Sequence, residues 1–515
     1  MTTTPLRRVY DLVERRAAAT PDREALSAGD IRRTWAELDE RVRRLAGALR
    51  AAGVGPGDRI ATLDKNHPAC LELTLAASLV GAANAVVNVR LSPSEITYVV
   101  NDAQARLLVA GAEFAAIVDG IRGDLATVRQ VVVLGGADDG YEAWLSASEP
   151  VRDPYAAEPG DCFLQLYTSG TTGFPKGAML THRSMIAHTE RVGPAYAMDE
   201  STVNVVVMPL FHVGGTSWAL GSMHAGGRTI VVRELAPDDL LSLVEERAAT
   251  HLFLVPAAIR MLIANPDRAA RALASLRVLG YGGEPMPVPL VRRVLEVLHT
   301  DLYSVYGMTE MSGVFCVLPP QDHRDPAREH LLASAGRPLP GNEVRVVDPE
   351  TMRDVPAGRV GEFWVRSEQQ MGGYWQRPEA TAETLVADGW LRTGDAGRID
   401  AEGYVFLEDR VKDMIISGGE NVYPAEVERV LLEHPSIAEA AVIGMAHEKW
   451  GETPLAAVVA RPGARVDSAD VIAFCRARLA HYKCPTSVVT IDALPRNATG
   501  KVLKRELRGI VGAAV

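Results

Sequence analysis

Tyr167-Thr168-Ser169-Gly170-Thr171-Thr172-Gly173-Phe174-Pro175-Lys176-Gly177 is the stretch on which the reading of the whole chain turns. Before it, Phe163, Leu164, Leu166 and Tyr167 read as a short buried strand, and after it residues 179–187 open a helical pattern. A strand, a Gly/Ser/Thr loop and a helix together offer backbone N–H groups to phosphate. Thr168, Ser169, Thr171 and Thr172 add hydroxyl donors, Gly170 and Gly173 let the backbone close around an anion, and Lys176 adds a mobile positive charge. The spacing excludes a Walker A loop. G-x-x-x-x-G-K-[ST] needs glycine where Pro175 stands, and Lys176 is followed by Gly177.

Upstream of the loop, strands and helices alternate. Trp35, Leu38, Val42, Leu45 and Leu49 lie at helical spacing, and Gly53 with Gly55-Pro56-Gly57 ends that helix. A strand follows at 59–63, a helix at about 68–80, a strand at 85–89, a helix opened by Ser92-Pro93-Ser94-Glu95, and a strand at 106–110. Such alternation predicts an α/β fold with doubly wound, mostly parallel sheets. At 515 residues the chain is too long for one core, so two or more domains are expected.

Downstream, six further motifs follow in order. Val203 to Met208 read as a strand that delivers Pro209-Leu210-Phe211-His212-Val213-Gly214-Gly215, placing His212 at a strand end, where open α/β sheets bind ligands. Val278-Leu279-Gly280-Tyr281-Gly282-Gly283-Glu284-Pro285 is a strand running into a glycine turn, and Tyr306-Gly307-Met308-Thr309-Glu310 ends another strand. Gly389-Trp390-Leu391-Arg392-Thr393-Gly394-Asp395 precedes the charged run Asp409-Arg410-Val411-Lys412-Asp413, with Gly418-Gly419 shortly after. Pro495-Arg496-Asn497-Ala498-Thr499-Gly500-Lys501 comes last. Residues 424–434 begin an amphipathic helix with proline in its first turn, and 440–443, 455–459 and 487–491 read as strands.

This motif set, in this order and over essentially the whole chain, resembles the adenylate-forming superfamily of acyl-CoA synthetases, peptide-synthetase adenylation domains and firefly-type luciferases, and within it the fatty-acyl and aryl-CoA ligases. The resemblance implies a large multi-subdomain N-terminal domain, 1–409, and a small mobile α+β lid, 410–515. It also implies ATP, Mg²⁺ and coenzyme A as reactants and cofactors. Gly283, Glu284, Pro285, Tyr306 and Gly307 would line the adenine, Asp395 and Arg410 would hold the ribose, and Thr309 the α-phosphate. Glu310 would bind the metal, Lys412 would be the hinge, and Lys501 the catalytic lysine, joined by Lys176 and the 168–173 loop. An aromatic face suits a purine and a hard oxygen ligand suits Mg²⁺.

His212, Val213, Gly214, Tyr281, Gly282, Met308 and Met311 are the expected walls of the acyl pocket; they are largely apolar or small and suit a hydrophobic acid. Amino-acid-activating relatives carry an Asp near His212, and this stretch has no carboxylate, which disfavours an amino-acid substrate. Gly418, Gly419 and Trp450 lie where relatives contact coenzyme A, although Trp450 reads equally as a packed aromatic. The 14 residues after Lys501 hold no carrier domain, so free coenzyme A is the expected acceptor. A carrier-protein thiol is the rival acceptor, and an ADP-forming phosphotransferase or a non-catalytic acyl-nucleotide binder the rival class.

A net charge of -11 without a basic run argues against nucleic acid. Five cysteines without C-x-x-C spacing suggest reduced thiols in a cytoplasmic protein rather than disulfides or zinc. Neither an N-terminal apolar signal nor an 18-residue apolar run is present, and a monomer or homodimer is expected.

Overall fold

A computed structural model describes residues 5–136, 139–168, 175–410, 413–417, 420–447, 450–496 and 502–512. By backbone contacts the chain forms two compact units, Met1–Glu343 with Arg366–Leu391, and Val344–Val365 with Arg392–Val515.

The first unit is built on two sheets. One runs in the order Gln130–Leu134, Ala105–Gly111, Arg59–Leu63, Ala83–Val86, Cys162–Thr168, Lys176–Thr181. Its first five strands are parallel and the sixth is antiparallel. The other has nine strands, and its six central ones are parallel: Asp301–Met308, Val278–Gly282, His251–Leu254, Val203–Val206, Arg228–Val231 and Glu24–Ala28. Both sheets meet the parallel α/β expectation, with antiparallel strands only at their edges.

Apolar patterning places the helices. Every residue of Pro68–Val80 is buried, because this helix packs in a layer shared with both sheets. Trp35–Ala51, His182–Ala195 and Val213–Ala225 belong to the same layer. Pro237–Arg247, Pro256–Leu262 and Val288–Val297 cover the outer face of the nine-stranded sheet. Pro93–Asp102 and Ala115–Ile121 cover the outer face of the six-stranded one. Thr34 with Glu37 and Ser92 with Glu95 form capping boxes that fix two helix starts.

In the second unit, Val344–Val365, the strand Trp390–Ile399 from Arg392 onward and the strand Val405–Arg410 lie with a C-terminal five-stranded sheet. That sheet runs Glu420–Val422, Ile415–Ser417, Gly451–Ala460, Ile437–His447, with Ser487–Thr490 pairing parallel to Gly451–Ala460. Its residues alternate between two cores. Val442, Ala456 and Val458 face Pro424–Leu432 and Ser468–Arg476, and Ala441, Ile443, Leu455 and Ala457 face Lys504–Gly512. Position 410 falls inside this unit, because Val405–Arg410 pairs with Trp390–Ile399 and packs on Pro424–Leu432. The division by contacts therefore does not fall at 410.

One expected element is corrected. The loop after Cys162–Thr168 does not lead into a helix at 179–187. Lys176–Thr181 is a strand pairing antiparallel with Cys162–Thr168, and the helix begins only at His182, capped by Thr181. The loop closes a β-hairpin. Six strand residues, roughly 20 Å, separate it from that helix N-terminus, so the helix dipole does not serve it.

Candidate active site

The hairpin places Lys176 opposite Thr168. Residues 371–375 run alongside the same strand: Gly372 N–H donates to the Met179 carbonyl (2.8 Å), Met179 N–H to Gly373 (2.9 Å), and Trp375 N–H to Gly177 (2.8 Å). This fixes Tyr374 beside the hairpin. The Lys176 ammonium stands 5.1 Å from the Tyr374 ring centroid. The Tyr374 hydroxyl donates to Glu310 Oε1 at 2.7 Å. Glu310 lies in the single turn Thr309–Met311 that ends the strand Asp301–Met308, and only 8% of it is exposed. Its carbonyl accepts from Met371 N–H at 2.8 Å. Lys176 and Glu310, read separately in the sequence, are thus joined through a tyrosine that the sequence reading missed. Its signal was Gly372-Gly373-Tyr374-Trp375, glycines delivering an aromatic pair.

Glu310 is a buried carboxylate, and among the described residues no group of three His, Cys, Asp or Glu could cage a metal. One carboxylate supplemented by phosphate oxygens fits Mg²⁺, which dehydrates reluctantly and keeps few protein ligands.

Tyr306 is buried, its ring 4.6 Å from that of Phe315. A bulge follows it, and a Cβ on Gly307 would stand 2.3 Å from the Gly313 carbonyl, so only glycine fits there. Gly283 has φ +83°, as its turn requires; Gly283 and Pro285 are exposed, and Glu284 half-buried. Thr309 is half-buried.

His212 stands at the N-cap position of the helix Val213–Ala225, in extended backbone and without a side-chain capping hydrogen bond. Burial pushes its imidazole down to about 4, leaving it neutral, and its Nε2 has no hydrogen-bond partner among the described residues. Asn66, not anticipated from the sequence, braces this loop. Its amide donates to the carbonyls of Val207 (3.3 Å), Met208 (3.1 Å) and Val232 (3.1 Å), and its oxygen accepts from Leu210 N–H (2.8 Å). A Cβ on Gly214 would stand 3.2 Å from the Phe253 ring, which lies 5.7 Å from that of Trp218. Val213 and Met308 are half-buried, and Gly282 and Met311 are buried. Tyr281 belongs to the core between the nine-stranded sheet and its outer helices, where its hydroxyl meets His323 Nε2 at 2.9 Å.

In the second unit, Asp395 is 8% exposed, its N–H donates to Thr393 Oγ1 (3.0 Å), and Arg410 stands opposite it in the strand ladder. Trp450 is exposed. Ser169, Gly170, Thr171, Thr172, Gly173, Lys412, Gly418, Gly419 and Lys501 lie outside the described residues.

If the hairpin serves the nucleotide, Lys176→Ala raises the KM for ATP about tenfold or more and leaves the ranking of acids unchanged. Steady-state pyrophosphate release over a panel of acids checks this; altered acid ranking with unchanged ATP kinetics would place the loop wrongly.

Residues 13–375 match the model of the AMP-binding enzyme family, and residues 426–501 that of the AMP-binding enzyme C-terminal domain. The chain is 39% identical to the fatty acid–[acyl-carrier-protein] ligase ScoC of Streptomyces coeruleorubidus, over 92% of this chain and 91% of that protein. It is 40% identical to a feruloyl-CoA synthase of an Amycolatopsis species, over 96% and 97%. A crystal structure of ATP-bound MatB from Rhodopseudomonas palustris superposes with a TM-score of 0.89 at 30% identity, covering 97% of this chain and 98% of that one. With both of its parts matched by family models, and relatives of this similarity along nearly its whole length, the chain belongs to the AMP-binding, adenylate-forming enzyme family.

Proposed function

We propose that the protein is an AMP-forming acid–thiol ligase that activates a hydrophobic carboxylic acid with ATP and passes the acyl group to coenzyme A. The observation that carries this reading is the Tyr374-joined pair of Lys176 and Glu310 beside the hairpin loop, in a chain of this family.

A carboxylate is a poor acylating agent, because its leaving group would be oxide. One of its oxygens attacks the α-phosphorus of ATP, the bond to the bridging oxygen breaks, and pyrophosphate leaves. The thiol then attacks the carbonyl of the mixed anhydride, loses its proton, and AMP departs. The obstacle to the first step is repulsion between carboxylate and polyphosphate. Lys176, the loop hydroxyls, Thr309 and Lys501 oppose it with positive charge and hydrogen-bond donors. Glu310 would hold a divalent cation, which when bound neutralises phosphate charge. Asp395 and Arg410 anchor the ribose and Tyr306 the purine, so the α-phosphorus is presented in line. The lid, 410–515, turns about Lys412 between the two steps, withdrawing Lys501 and admitting the thiol to Gly418, Gly419 and Trp450.

An uncharged acid pocket is supported by neutral His212 and by the aromatic pair Phe253 and Trp218 behind Gly214. The acceptor has a second reading, a carrier-protein thiol, favoured by the similarity to ScoC. A screen of fatty, cinnamic and benzoic acids for acid-dependent pyrophosphate release tests the first step. Adding coenzyme A or a phosphopantetheinylated carrier tests the second. AMP with an acyl-CoA is the expected product; ADP would overturn the reaction class, and acylation of the carrier alone would transfer the assignment to the second reading. Among the described residues no helix is long and apolar enough to cross a membrane.

A further inference from the structure

Lys176 and Glu310 carry opposite charges and both touch Tyr374, yet among the described residues neither enters an ion pair. The strand of one and the turn of the other are in contact. The Tyr374 side chain meets the Lys176 ammonium at its ring and the Glu310 carboxylate at its hydroxyl, two charges that would otherwise attract each other. A direct pair would have to break each time nucleotide enters.

The tyrosine is itself held firmly. Its N–H donates to Thr381 Oγ1 at 2.9 Å, its backbone bridges Ala178, and 8% of it is exposed. The next residue, Trp375, donates from Nε1 to the Asp102 carbonyl at 3.0 Å and lies under the Arg59 guanidinium, 3.4 Å from its ring centroid. The ring therefore cannot swing away without dismantling the 371–375 segment.

We propose that Tyr374 is a positioning residue that keeps these two charges apart and aims them at different parts of the nucleotide. Its hydroxyl occupies one oxygen of Glu310 and leaves the other for a cation. Its ring face offers the Lys176 ammonium a weak cation–π seat that phosphate easily outcompetes. This rests on the nucleotide-site reading above, and it separates two functions of one side chain: hydroxyl for the metal, ring for the lysine.

Two variants divide them. Tyr374→Phe keeps the ring and loses the hydroxyl; Tyr374→Leu loses both. ATP affinity is measured by calorimetry without acid, once in EDTA and once across a Mg²⁺ series. Tyr374→Phe is expected to bind ATP in EDTA within about twofold of wild type, and to need about tenfold more Mg²⁺ for half-maximal enhancement of binding, the scale of one hydrogen bond to a charged group. Tyr374→Leu is expected to lose affinity in EDTA as well. A wild-type Mg²⁺ requirement in Tyr374→Phe overturns the proposal. So does an EDTA affinity that falls as far in the Phe variant as in the Leu variant, the sign of a merely structural role. Glu310→Gln separates the two layers of the argument. If it raises the Mg²⁺ requirement while Tyr374→Phe does not, only the positioning role fails. If neither variant raises it, the placement of Glu310 at the metal fails first.

Discussion

Lys501→Ala is expected to slow acid-dependent pyrophosphate release on the order of a hundredfold or more, while acyl transfer from supplied acyl-adenylate to coenzyme A stays near the wild-type rate. The carboxylate and the α-phosphate are both anionic, and negative charge accumulates between them as the new P–O bond forms. A lysine brought in for that step acts where charge develops, so its loss is felt in the transition state more than in binding. The second half-reaction starts from a neutral acyl carbonyl and an AMP leaving group. On the proposed lid rotation Lys501 has by then been withdrawn. The two half-reactions must be measured separately, by pyrophosphate release and by single-turnover transfer from synthetic adenylate. Near-normal pyrophosphate release by the variant would remove Lys501 from the first step. Equal loss in both would indicate damage to the lid as a whole, which consists of strands packed between Ser468–Arg476 on one face and Lys504–Gly512 on the other.

Much of the first unit was legible because its signals are local. The helix Trp35–Ala51 has its apolar spacing and a capping box within the same few residues, and Arg59–Leu63 is punctuated by the glycines before it. The hairpin strand Lys176–Thr181 was not legible for a local reason too. It is buried along most of its length between Cys162–Thr168 and residues 371–375, so its sequence shows no alternation, and the apolar pattern of His182–Ala195 reads back into it. Tyr374 and Asn66 escaped because their partners are remote in sequence, 64 positions away for Glu310 and more than 140 for the carbonyls Asn66 holds. The division into units shows the same limit. Residues 366–391 return to the first unit although 344–365 have already left it, and no composition shift marks either crossing.

Glu72→Ala is expected to destabilise the first unit by about 3 kcal/mol, the lower end of the range for breaking a buried ion pair. Glu72 lies on the wholly buried helix Pro68–Val80 and is 1% exposed. Its carboxylate accepts from Arg41 Nε (2.7 Å) and Nη2 (3.0 Å), a two-pronged pair with the helix Trp35–Ala51, and from the Tyr141 hydroxyl (2.8 Å) on Gly140–Ser146. Burial raises the Tyr141 hydroxyl well above its ordinary range, so it remains a donor throughout the accessible pH scale. One carboxylate thus ties three helices, and its removal strands a buried phenol and half of a guanidinium's donors. Arg41 keeps Glu142, at 2.6 Å, and that remaining partner is why the lower end of the range is chosen. Alanine also leaves a void where the carboxyethyl arm was. Glu72→Gln retains the volume and one acceptor and should fall between wild type and alanine. In a thermal melt the alanine variant should lose roughly 5 °C or more, and the loss should change little between low and high salt, since a buried pair is poorly screened. A midpoint within a degree of wild type would show that water entering beside Tyr141 replaces the carboxylate at no cost, and that the three helices are held by their apolar faces alone.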